Sequence, residues 1–130
     1  MRSIVIGKQA SEYVSIEIGG TPFEGWRTGT VAVSAGPWSG EYKAQFYVGE
    51  LSLFAAEIEK LYQDLVGPAV FAPMESNIEM TLRGDGKGHI TVEGVARDEF
   101  VRDTYLTFEL ALDQTELPGI AATLRAADQE

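Results

Sequence analysis

Residues 50–66, ELSLFAAEIEKLYQDLV, constrain this chain more than any other stretch. Leu51, Phe54, Ile58, Leu61, Tyr62 and Leu65 recur at three- and four-residue steps, which places them on one apolar stripe of a helix. Glu57, Glu59, Lys60, Gln63 and Asp64 fill the opposite face. Gly67-Pro68 is expected to end the helix, because glycine takes the left-handed conformation past a last turn and proline cannot continue one. A stripe of this length has to be covered, and the rest of the chain offers mainly strands to cover it. Phe54 and Ile58 are therefore expected at the centre of the core, against inward residues such as Val33, Phe46, Met80 and Phe108.

Arg2–Ile6 and Glu12–Ile18 read as the first strands, the second with Val14, Ile16 and Ile18 on one side. Gly19-Gly20-Thr21-Pro22 reads as a turn. Thr28–Ala35 then alternates through Val31, Val33 and Ala35, Gly36 to Gly40 break it, and Glu41–Val48 alternates through Tyr42, Ala44, Phe46 and Val48. Beyond the helix come Ala69–Ala72, Asn77–Arg83, Gly88–Val95 and Thr104–Leu112, with Ile78, Met80, Leu82, Ile90, Val92, Leu106, Phe108, Leu110 and Leu112 inward. Such alternation marks antiparallel strands with one buried side. A closing helix starts near Asp113-Gln-Thr-Glu116, where Asp113 with Glu116 would form a capping box and Thr115 could cap alone. Pro118 favours Thr115, since it then falls within the first turn. Ser52 is a plausible cap for the central helix. The expected fold is a single α+β domain over residues 1–130: a curved antiparallel sheet of about eight strands wrapping one central helix, with a second, C-terminal helix. The order of four strands and a helix occurs twice, but inward Phe46 then aligns with outward Glu109, so no sequence repeat is supported.

Charge and composition limit the function. The net charge is -10, with five Lys/Arg against eight Asp/Glu in residues 1–65 and five against twelve in residues 66–130. An acidic surface disfavours nucleic-acid phosphates and anionic membranes and suits a basic protein partner. The chain has no cysteine, which removes disulfides and thiolate chemistry and fits a reducing compartment. It has neither an apolar run of membrane-spanning length nor the apolar core of a secretory signal, so a cytoplasmic location is expected.

Candidate chemistry is sparse. Gly84-Asp-Gly-Lys-Gly88 joins two strands rather than opening a helix, so it reads as a hairpin turn, not a phosphate loop. A five-residue loop there sets Leu82 opposite Ile90 and Glu79 opposite Glu93, a like-charge pair that could hold a cation, share a proton or meet a basic partner. A three-residue loop is expected to place Glu79 opposite Thr91 instead. His89, the one histidine, sits beside the turn with no second nitrogen or sulfur ligand, so neither a metal nor any other cofactor is expected. Residues 96–103, ARDEFVRD, read as a loop whose Asp98, Glu99 and Asp103 would steer a cationic surface, while Phe100 and Val101 supply an apolar tip. With Glu79 and Glu93 these form the candidate protein-binding residues. Trp26 and Trp38, in or beside glycine-rich turns, suit either core or contact.

From the central helix onward the chain resembles the WapI-type immunity proteins of bacteria. The shared pattern runs Leu53-Phe54, Leu61-Tyr62, Leu65-x-Gly67, Gly88-x-Ile90-x-Val92, Leu106-x-Phe108 and Leu112-Asp-Gln-Thr-x-Leu117. The resemblance implies a non-enzymatic binding protein that neutralises a toxin domain, and it brings no catalytic motif with it. Two other classes stay open. One is a small acyl-CoA hydrolase of hot-dog shape, for which Glu50 is the only acid near the helix start; the other is a homo-oligomeric structural module without a ligand.

Overall fold

The computed structural model describes residues 2–8, 10–98 and 104–129. Four strands, β1 (Arg2–Gly7), β2 (Tyr13–Phe23), β3 (Trp26–Ala35) and β4 (Trp38–Tyr47), precede helix α1 (Glu50–Asp64). Four more, β5 (Val66–Phe71), β6 (Ile78–Asp85), β7 (His89–Asp98) and β8 (Thr104–Asp113), precede helix α2 (Leu117–Asp128). This is the expected α+β architecture, and the strands divide into two antiparallel sheets, β1-β2-β3-β4 and β5-β6-β7-β8. The helices cross between the halves. They pack on each other, and α1 lies on β5 of the second sheet while α2 lies on β1 of the first.

Inner faces and helix stripes meet in one core. Phe54 and Ile58 are buried there with Val33, Phe46, Met80 and Phe108. Phe71 stacks on Phe54 at 4.7 Å between ring centroids and on Phe46 at 6.0 Å, so its ring joins the central helix to both sheets. Of the residues expected inward, Ala35, Tyr42 and Leu106 are only partly buried, and Val48 lies beyond its strand and is exposed.

Several element ends differ from the sequence reading. β2 does not turn at Gly19 but shifts register and continues to Phe23; Glu24 and Gly25, both at positive φ (52° and 86°), make the turn. Gly36-Pro37 alone joins β3 to β4, with Ala35 opposite Trp38. Helix α1 is closed by Leu65 in the left-handed conformation (φ 63°), its N–H donating to the oxygen of Leu61. Gly67 and Pro68 instead lie within β5, facing Gly84 and Arg83. Proline is tolerated there because β5 is an edge strand that needs no donor on its outer side.

Asp113, not Thr115, caps the closing segment: its carboxylate accepts the N–H of Thr115 at 3.0 Å, and Glu116 returns to the N–H of Asp113 at 2.9 Å. A 3-10 turn, Gln114–Glu116, intervenes, so α2 starts at Leu117 and Pro118 still falls where no intrahelical N–H is needed. Ser52 lies inside α1, whose cap position is Gly49. The N–H groups of Gly49 and Ser52 are each taken at 3.0 Å by the carboxylate of Asp128, from α2. Arg27, 4% exposed, donates from Nη2 to the main-chain oxygen of Asp128 at 2.7 Å.

Candidate protein-binding surface

The loop between β6 and β7 settles the question of the paired glutamates. Only Gly86, Lys87 and Gly88 lie between the two strands, the two glycines at φ 83° and 103°. Asp85 holds the turn by accepting the N–H groups of Lys87 (2.7 Å) and His89 (3.1 Å), and its second oxygen lies 2.9 Å from Nδ1 of His89. Those contacts, led by the Lys87 N–H and the His89 ring, draw the carboxyl down to about 2. The turn is thus centred on Lys87, one residue beyond Gly86. Moving the centre by one moves the pairing by two, which leaves inward residues inward. Glu79 consequently faces Val95, not Glu93 or Thr91, and Glu93 faces Thr81. Gly94 and Val92 stand where Val92 and Ile90 were expected, opposite Met80 and Leu82.

The like-charge pair exists, but on the other side of β7: Glu93 lies directly opposite Glu109 of β8. Glu79, Glu93 and Glu109 together line a groove of about 600 Å³ on the outer face of the second sheet, with Val70, Thr81 and Thr107 among its other walls. Among the described residues, no lysine, arginine or histidine lines it. No group of three or more acidic, histidine or cysteine side chains placed to hold a metal ion occurs among the described residues. His89 is exposed and occupied with Asp85.

Asp98, expected in a loop, ends β7 opposite Thr104, and Arg97 pairs with Tyr105. Glu99, Phe100, Val101 and Asp103 lie outside the described residues. Beside Asp98 is a second concavity, a cleft of about 230 Å³ that Val33, Trp38, Tyr42, Ala96 and Leu106 also line. Trp38 is 67% exposed, which gives it to the surface, while Trp26 is half-buried with its ring edge-on to Tyr47 at 5.1 Å. The sequence reading missed Glu109 and Trp38 as companions of Glu93 and Asp98. Alternation marks Glu109 as outward but not its neighbour across the ladder, and nothing local joins Trp38 to β7.

Glu50 has a fixed structural task. Its two carboxylate oxygens accept the N–H groups of Tyr47 and Met74, both at 2.6 Å, tying the start of α1 to the segment after β5. That employment counts against its use as an acid in a hot-dog-type reaction. No helix among the described residues is long and apolar enough to cross a membrane.

Among solved structures, the chain is similar to one described as Trypanosoma bruciei MRP1/MRP2, with 8% sequence identity and a TM-score of 0.48 over 96% of this chain and 81% of that one. No curated protein matches the chain. The immunity protein WapI-like family matches residues 5–129, nearly the whole length and both sheets. The chain belongs to the WapI-like immunity protein family.

Proposed function

We propose that the protein works by binding: it neutralises a basic toxin domain that docks on the outer face of β6, β7 and β8. Family membership supports an immunity role without chemistry of its own. The observation that carries the partner's charge is the placement of Glu93 opposite Glu109, with Glu79 in the same groove and no basic residue among its described lining. Like charges directly opposite on an antiparallel pair destabilise the sheet, so the arrangement gains when a cationic surface neutralises it. Such a surface would be steered by the acidic second half, and steering of this kind raises association rates and fades with salt.

The test is kinetic. A toxin domain encoded beside this protein is mixed with the wild type and with Glu93→Lys plus Glu109→Lys, and association is followed at several salt concentrations. The double variant is expected to associate at least about tenfold more slowly, with a flatter salt dependence, and to give weaker relief of toxin-arrested growth. Association that ignores both salt and the reversals would show that the charge serves solubility alone.

A further inference from the structure

Leu53, 71% exposed, stands one helical turn before Glu57 on the outer side of α1. A single exposed leucine is ordinary, but this one lines a cleft of about 400 Å³ together with Ala56, Val70 and Pro73. Val70 is also exposed, and so is Met74, whose N–H donates to Glu50 of the same cleft. The charged residues of the cleft are Glu50 and Glu57, with no lysine, arginine or histidine among its described lining. Lys60, one turn further along α1, lines a separate hollow with Glu59. Both carboxylates are engaged with main chain: Glu50 accepts from Tyr47 and Met74, and Glu57 accepts the N–H of Val70 at 3.1 Å. They make the rim negative but leave little to orient a small ligand, whose sites need polar groups converging on it. Nor can a strand add readily to β5, because Pro68 has no N–H and that of Val70 is taken. The cleft suits an apolar side chain.

This cleft is continuous with the acidic groove, since Val70, Phe71 and Ala72 line both. One row crosses the second sheet: Val70 faces Thr81, Thr81 faces Glu93, and Glu93 faces Glu109. Three inter-strand steps of about 4.8 Å put Glu109 roughly 14 Å from Val70, within the reach of one protein surface. A second copy of this chain is the weaker occupant, because it would crowd the Glu50 and Glu57 rims of two chains that each carry a net charge of -10. We propose that this cleft is the apolar anchor site for the basic partner, taking one aliphatic or aromatic side chain that the partner presents beside the cationic surface it lays on Glu93 and Glu109. The inference rests on the binding role proposed above and adds the second chemistry of the contact. Charge governs the encounter, and the desolvated anchor governs release, because affinity differences within one interface lie mostly in the off-rate.

The test separates the two rates. The toxin domain encoded beside this protein is bound to the wild type and to Leu53→Ala, and association and dissociation are measured independently. Leu53 is exposed and alanine suits a helix, so the urea midpoint of the variant should match that of the wild type. Dissociation is expected to accelerate about tenfold, while the association rate and its salt dependence stay at wild-type values. Val70→Thr, polar but fit for a strand, should act in the same direction. In the complex, the Leu53 and Val70 methyl signals should become shielded from a soluble paramagnetic agent. Dissociation that ignores both substitutions, or methyl groups that stay accessible in the complex, would overturn the assignment. So would methyl signals that shift with protein concentration alone, because a second copy would then fill the cleft. If Leu53→Ala is inert while association still depends on Glu93 and Glu109, the anchor is lost and the binding role stands. If dissociation responds to Leu53 but association ignores the charge reversals, the acidic steering falls and the anchor stands.

Discussion

Gly94 lies where the ring of Phe108 leaves no room for a Cβ. The two residues face each other across β7 and β8, and Phe108 is buried, so its ring cannot swing aside freely. Gly94→Ala is therefore expected to lower stability by about 1–3 kcal/mol, the usual penalty for overpacking a filled core. A denaturation midpoint equal to wild type would mean that the ring has space to move. Arg27 is the residue that simple patterning should have flagged. It occupies position 27 in the inward series 27, 29, 31, 33 and 35 of β3, and an arginine on a buried face needs a partner there. The partner, the main-chain oxygen of Asp128, lies 101 residues away, which no local pattern reveals.

Elements were legible where alternation or helical spacing ran long, and less so where one residue decided an end. The stripe of α1, apart from Tyr62, which is exposed, and the inward faces of β2, β6, β7 and β8 follow from periodicity alone. The end of α1 does not, because a leucine took the left-handed position that glycine usually fills, and Gly67-Pro68 was absorbed into an edge strand. The β6–β7 register escaped for a sharper reason. Parity rules out odd shifts but not a shift of two, and the choice rests on which residue centres the turn. That turn has a testable acid sensitivity. The Asp85 carboxyl sits at about 2 in the fold against an ordinary 3.8, so its contribution is complete above about pH 4 and is lost as pH falls through its folded value. Asp113, bonded by Thr115, and Glu59, bonded by Arg125, are also lowered and act with the same sign. Urea midpoints measured from pH 6 downward should fall, and Asp85→Asn should make that decline shallower; parallel curves would remove Asp85 from the account. The cap of α1 gives a second test. Asp128→Ala leaves the N–H groups of Gly49 and Ser52 unpaired and is expected to cost about 1–3 kcal/mol, with amide exchange in the first turn of α1 accelerating selectively.

At the scale of the molecule, two units of similar order, each four strands and a helix, are joined by exchange, each helix lying on the first strand of the other half. Arg125 of α2 and Glu59 of α1 add an ion pair between the helices, at 2.5 and 2.9 Å. With one core cluster spanning both sheets, neither half has its own interior. Unfolding followed by tryptophan fluorescence, which reports on the first half, and by amide exchange in β6–β8 should give coincident transitions. Separate midpoints would show that the halves hold independently. The same exchange sets a clock during synthesis. The carboxylate that caps α1 lies 76 residues beyond Ser52, and at about 5–20 residues per second a ribosome reaches it roughly 4–15 s later. For that interval the first turn of the central helix is without the carboxylate that caps it. Completion of the α1 cap is thus timed by the arrival of a single aspartate close to the end of α2.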